Sequence, residues 1–233
     1  MKLFRISLNK IFLFGVLAIG CAKEDTPDTL EDGVSKVIYD LAGDTGASVS
    51  TGIPGKDRRT FYPFLFDLEE ARQIWVRTAA DSARWLKTND WHLAFTDNYN
   101  SRIFINNNAD SSNPGFEGVA EGTAIVLLHA DYDAVREAPS DAEFDQSTFT
   151  DVSWANEENS PGWYSYNSST HIMKSLPNRT YALRLANGKY AKLQLISAYK
   201  GNPPAVTDQF WPAPYLTFRY FIQEDGSRNL STR

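Results

Sequence analysis

Along the chain, apolar and polar residues alternate with period two over many short stretches and with helical spacing over only one. The clearest alternation lies near the end. Tyr181, Leu183 and Leu185 alternate with Ala182 and Arg184, and after Ala186-Asn187-Gly188 the residues Ala191, Leu193 and Leu195 alternate with Lys192 and Gln194. Period two on both sides of an Asn-Gly pair predicts a β-hairpin with a two-residue type I′ turn. One face would be apolar and covered, and the other would carry Arg184, Lys192 and Gln194 into water. Pro177-Asn178 marks where its first strand begins. This hairpin is expected to form the centre of an antiparallel sheet.

The same pattern predicts a first strand over residues 34–41 and β structure over 59–67, where Pro63 imposes an edge or bulge position. Residues 68–75 read equally as a helical turn or a strand. Trp91, Leu93 and Phe95 share one strand face, which turns His92 towards solvent. Strands follow over 101–106 and 215–222, and the short apolar run 123–128 suits a buried central strand. Residues 78–87 are the helix candidate, because Thr78 and Asp81 have the spacing of a capping box and Ala79, Ala80, Ala83 and Leu86 favour helix. Residues 131–161 are acidic and weakly patterned, so long loops are expected there, with one helical turn around Ala142. A further loop spans 201–214. The sum is roughly eight to twelve short strands and one short helix, an all-β, mainly antiparallel single domain.

Composition sharpens this picture. Six Trp, eleven Tyr and fourteen Phe in 233 residues favour pleated, half-covered surfaces. A formal charge of −6 argues against nucleic acid as a partner, because phosphates demand a basic face. The first residues are a targeting segment. Lys2, Arg5 and Lys10 precede the apolar run 11–19, which is too short to span a bilayer and ends at Gly20-Cys21, the single cysteine of the chain. That placement resembles a bacterial lipobox. Residues 1–20 are then a lipoprotein signal peptide, Cys21 the lipidated N-terminus, 21–33 an acidic tether and 34–233 the domain.

The chain has no Gly-rich phosphate loop, no Gly-x-Ser-x-Gly and no His-Glu-x-x-His, so an enzyme is not expected. His129-x-Asp131 with His171 matches the residue types of a two-His-one-carboxylate iron site, and Asp131, Asp133 and Glu137 those of a calcium site, without the surrounding motif of either. His171 and Met173 stand two apart, which on a strand puts both on one side. Both are haem-iron donors by type. Trp154, Trp163, Trp211, Tyr164 and Tyr166 lie in or beside the long loops, where they either stack on a planar ligand or plug the ends of the β domain.

Trp163-Tyr164-x-Tyr166, Thr170-His171, Pro177-Asn178-Arg179-Thr180-Tyr181 and Asn187-Gly188-Lys189-Tyr190-Ala191-Lys192 together resemble the C-terminal signature of the HmuY-like haem-binding lipoproteins of Bacteroidetes. Asp90-Trp91-His92-Leu93-Ala94-Phe95 and Tyr215-Leu216-Thr217-Phe218-Arg219-Tyr220 are similar to the same family, so the likeness spans about residues 34–221. It implies a haem-binding protein, anchored by lipid in the outer membrane at the cell surface, that takes haem free or from haem-carrying host proteins and passes it to an outer-membrane transporter. In the family the iron is clamped by two histidines or two methionines. One of those positions falls near Ser168 and the other within 135–144, and neither place carries His or Met here. Ligation would pass to His171 or Met173, with His129 or a tyrosine opposite and with Trp163 and Tyr166 against the porphyrin. The site would lie between the 131–161 loops and the segment 163–173. The alternative is a protein of the same fold that has lost haem ligation and binds another small molecule or a glycan through its aromatic loops.

Overall fold

The structure, a computed structural model, describes residues 30–49, 53–157 and 160–233. The expected signal peptide, Cys21 and most of the tether lie outside these residues. In chain order the strands are β1 (Lys36–Ala42), β2 (Ala47–Ser48), β3 (Asp57–Arg58), β4 (Phe64–Asp67), β5 (Arg72–Trp75), β6 (Leu93–Thr96), β7 (Arg102–Ile105), β8 (Ala124–Leu128), β9 (Asp151–Val152), β10 (Tyr164–Asn167), β11 (Ile172–Ser175), β12 (Thr180–Arg184), β13 (Tyr190–Ser197) and β14 (Tyr215–Gln223). Helix α1 (Ala79–Trp85) precedes β6 and α2 (Asp141–Asp145) precedes β9. The result is all-β, with two antiparallel five-stranded sheets ordered β1-β14-β13-β12-β8 and β5-β4-β6-β7-β9. The short β2 and β3 pair in parallel, and β10 and β11 form a separate two-stranded ribbon.

The sheets face each other across one core. Phe64, Phe66, Leu93, Phe95, Ile103 and Ile105 from one sheet meet Tyr181, Leu183, Leu193, Leu195, Leu216 and Phe218 from the other. Phe218 lies 5.2 Å from Phe66 and 5.5 Å from Phe95, so aromatic contacts join the layers. Helix α1 forms where the capping box predicts it. Thr78 accepts from the Asp81 amide, the Asp81 carboxylate accepts from the Thr78 amide, and Trp85 and Leu86 cover the outer side of Leu65, Ala94 and Phe104. The second helix, α2, repeats the device with Ser140 and Glu143.

The hairpin β12–β13 differs from its sequence-based expectation in two respects. Leu185 donates to the Lys189 carbonyl and Gly188 to that of Leu185, while Gly188 has φ +80°. The turn is therefore a three-residue loop with its bulge residue in the left-handed region, and Asn187 stays at negative φ. The outer face is also not in water. Lys192 is fully buried, and its Nζ donates to the carbonyls of Tyr132 and Val135 at 3.0 Å and to Thr232 Oγ1 at 3.1 Å. Residues 130–145 and the C-terminal tail cover this face, burying Val135, Phe144 and Leu230 against Ala182 and Tyr190. Arg184 is drawn in with them, pairing with Asp141 and Asp145. Two further expectations fall. Strand β8 is an edge strand, shielded by α2 rather than central. Trp91 packs on the α1 side of its sheet, opposite Leu93 and Phe95, because the strand begins only at Leu93.

Candidate functional site

The ribbon β10–β11 stands outside both sheets and is fixed at its base. Trp163, just before it, is buried, and its indole nitrogen donates to the Ser101 carbonyl at 2.8 Å. Tyr164 shares a 3.0 Å hydroxyl contact with Ser101, and the Met173 amide donates to Tyr199 Oη at 3.0 Å. Gly162 makes room for this anchorage, since a Cβ there would lie 2.3 Å from the Ala155 nitrogen. That close approach lets Ala155 donate to the Tyr164 carbonyl and Trp163 to that of Ser153. At the free end Asn167 nucleates the turn. Its Oδ1 accepts from the amides of Ser169 and Thr170, and its carbonyl accepts from His171, which sits at φ +57°.

This geometry brings three of the sequence candidates together. Tyr166 pairs with Met173 across the ribbon, and both line one cleft of about 110 Å³ with His171, Tyr99 and Tyr199. His171 Nδ1 lies 2.7 Å from Tyr166 Oη. When Nδ1–H donates to the phenol oxygen, the Nε2 lone pair is left free for a ligand. Tyr166 and His171 are exposed, whereas Met173 is half-buried against the core. Burial pushes the phenols of Tyr99 and Tyr199 above their ordinary pKa, so both stay neutral donors at the cleft. Two larger clefts adjoin it. One, of about 370 Å³, shares Tyr99, Tyr166 and Met173 and is walled by Trp154, which is 49 % exposed and meets Tyr166 edge-on at 6.0 Å. The other, of about 260 Å³, shares Met173 and Tyr199 and is floored by Trp163.

Other candidates stand elsewhere. His129 is exposed on the turn after β8 and does not line this cleft. Trp163 contributes the floor of a neighbouring cleft rather than an open stacking face. His92 is not solvent-facing. Its side chain is 11 % exposed, Nδ1 accepts from the Leu68 amide at 3.1 Å, and burial holds the ring below the usual histidine range against the opposing pull of Asp67 and Glu69. Among the described residues no three His, Cys, Asp or Glu side chains converge to hold a metal, so neither the two-His-one-carboxylate triad nor the calcium site forms. Asp133 instead pairs with Arg219 and Arg233. Residues 131–147 lie over the Lys192 face, and among the described residues it is the segment Ser153–Ala155 that reaches the ribbon. Sequence reasoning missed Tyr99 and Tyr199. Each is an isolated tyrosine in a loop, and only the packing of distant segments brings it to the ribbon.

Chemically the fold and cleft define a two-sheet β protein with an aromatic surface cleft that presents imidazole, thioether and phenol donors. No protein-family model matches the chain, and no curated protein does. Solved structures to which it is similar include the following three. A protein from Bacteroides vulgatus described as HmuY-like and haem-binding shares 15% identity at a TM-score of 0.40, over 80% of this chain and 91% of that one. An apo HmuY analogue from Tannerella forsythia shares 13% identity at 0.37, over 81% and 94%. A protein from Bacteroides fragilis described as a lipoprotein shares 14% identity at 0.34, over 69% and 82%. Likeness at this level carries no ligand or donor set to the present chain.

Proposed function

We propose that this protein is a lipid-anchored haem-binding protein of the outer membrane, exposed at the cell surface, which captures haem and delivers it to a membrane transporter. The observation that carries the reading is the convergence of Tyr166, His171 and Met173 on one cleft. The sequence resemblance around Trp163–Lys192 and the lipobox-like Cys21 support the same reading. By donor type the residues suit haem iron, because His, Met and Tyr are all axial ligands of haem proteins. When bound, haem would supply the iron centre. The chain's own part is to offer the His171 Nε2 or the Met173 sulfur to iron and to lay Tyr99, Tyr166 and Tyr199 against the ring. A cleft of about 110 Å³ is smaller than the ~300–1,000 Å³ of ordinary ligand sites. Capture therefore requires the ribbon to shift so that the adjoining clefts merge. The ribbon is suited to this, being paired with neither large sheet.

The test is a titration of the full chain with haemin, followed by Soret absorbance in oxidised and reduced states. Saturable binding is expected, weakened at least about tenfold in His171→Ala or Met173→Ala, as loss of one strong donor implies. Binding no greater than that of an unrelated protein would overturn the reading. Binding unaffected by either substitution would overturn the ligand assignment.

A further inference from the structure

A second cleft, of about 220 Å³, opens at the turn end of the β12–β13 hairpin, whereas the ribbon lies against the far end of β13. The cleft lies between Leu185–Asn187 and the segment that carries Trp91 and His92. Its wall gathers polar functions that the protein itself does not use. Because His92 Nδ1 accepts from Leu68, the ring proton sits on Nε2, and that N–H has no acceptor among the described residues. Glu69 Oε1 accepts from Asn187 Nδ2 at 3.0 Å and from Lys189 Nζ at 2.9 Å, leaving Oε2 unpaired. Asn106 closes the inner wall, its Nδ2 donating to the carbonyls of Thr88 and Trp91 and its Oδ1 packed against Gly115. Thr123 accepts from Asn107 through Oγ1, leaving its hydroxyl hydrogen free, and the Asn89 amide bonds nothing. Ile105 and Leu185 supply an apolar patch beside them.

The charges around this cleft are already paired. Lys189 bridges Glu69 at 2.9 Å and Glu224 at 2.6 Å, and Asp67, behind His92, pairs with Arg72 at 3.2 Å. An anion would meet the Glu69 carboxylate, and a cation would meet Lys189 and an N–H donor. An apolar ligand would strand the open donors and acceptors, each losing its hydration without a replacement partner. A neutral ligand that both donates and accepts, with a C–H face, satisfies them all. The volume lies below the ~300–1,000 Å³ of drug-sized sites, which limits the occupant to a small ring. We propose that this cleft binds one neutral polyhydroxylated ring, a monosaccharide or the terminal sugar of a glycan. His92 Nε2–H and the Thr123 hydroxyl donate to its oxygens, Glu69 Oε2 accepts from its hydroxyls, and the exposed Asn89 side-chain amide bonds a further hydroxyl. The site is separate from the ribbon cleft and does not depend on haem.

The test uses the full chain labelled with nitrogen-15, following the His92 imidazole nitrogens and the amides of Ala186 and Asn187 by NMR. D-glucose, D-galactose and N-acetyl-D-glucosamine are added in turn, with methylammonium and inorganic phosphate as charged probes. A saturable shift with at least one sugar is expected, with a Kd on the order of 1–10 millimolar. The exposed, unbonded Asn89 can be changed without disturbing the fold, and Asn89→Ala is expected to weaken that binding about tenfold, as is His92→Phe. Absence of a saturable shift with all three sugars would overturn the proposal. So would saturation by methylammonium or phosphate instead, or sugar binding that both variants leave intact.

Discussion

The ribbon β10–β11 and the hairpin β12–β13 follow one another in the chain and are both antiparallel, yet their surroundings are opposite. In the hairpin nine of the thirteen strand residues are buried. Its inner face joins the two sheets, and its outer face is closed by residues 130–145 and the C-terminal tail. In the ribbon only Tyr164 is buried, and Tyr166 and His171 keep their donor atoms at the surface. A strand pair closed on both faces contributes stability and has no donor left over. A pair packed only at its base contributes little and retains its chemistry. The frame and the proposed binding element are thus separated within forty residues of sequence.

The strongest way to break this comparison is to attack the covered face at Lys192. Lys192→Met keeps most of the stem but strands the carbonyls of Tyr132 and Val135 and removes a cation 4.2 Å from the Tyr132 ring. A loss of about 3 kcal/mol is expected, read from urea unfolding of the full chain. The same lysine sets a pH signature. Burial pushes its pKa down to about 8 in the folded protein, whereas an unfolded lysine titrates near 10.4. Between about pH 8 and 10 the unfolded chain therefore binds more protons than the folded one, and stability rises with pH. Above about pH 10 the sign reverses, because burial holds the phenols of Tyr132, Tyr181 and Tyr220 above their ordinary range while unfolded tyrosines ionise. Lys192→Met should diminish the rise, leaving the part that comes from Lys56, whose pKa burial also lowers, and keep the fall. A rise undiminished in the variant would assign it to other groups.

Lys192 also shows where the sequence stopped being legible. Period two states which residues share a face but not what lies on that face. Lys192 alternates with apolar neighbours as a solvent-facing residue would, and its acceptors come from Tyr132, Val135 and Thr232, far away in the chain. The Asn-Gly pair likewise predicts a tight turn without distinguishing a two-residue from a three-residue loop. That choice is made by the pairing of Leu185 with Lys189. Local devices were readable in full, as with the Thr78–Asp81 box that starts α1. The candidate site divides the same way. Tyr166, His171 and Met173 converge because one turn joins them. Tyr99 and Tyr199 join only through tertiary packing, and His92 changes from a surface residue to a buried one because the Leu68 amide caps its ring.

Smaller effects are expected in the ribbon. Tyr166→Phe removes an exposed hydroxyl and should change stability by less than about 0.5 kcal/mol, while Met173→Ala, half-buried at the ribbon base, should lose about 1–2 kcal/mol. Both are read by the same urea unfolding. A loss of the size expected at Lys192 in either variant would make the ribbon part of the frame and end the separation.

A last pair of substitutions compares the two turns directly. Each places one residue in the left-handed region, Gly188 at φ +80° and His171 at φ +57°. For a residue with a Cβ that conformation costs about 1–2 kcal/mol, and glycine escapes it. The stable hairpin uses the unstrained residue, and the ribbon accepts the strained one that carries an imidazole. Nothing lies within 4 Å of a Cβ built on Gly188, so the cost of Gly188→Ala is backbone alone, about 1 kcal/mol. His171→Gly relieves the strain but frees the unfolded chain and gives up the contact to Tyr166. Its stability should stay within about 0.5 kcal/mol of the parent, tending upward, while haemin affinity falls. A loss beyond about 1 kcal/mol would mean that the Tyr166–His171 contact outweighs the strain, making the donor pair a structural clasp of the ribbon as well as its binding end.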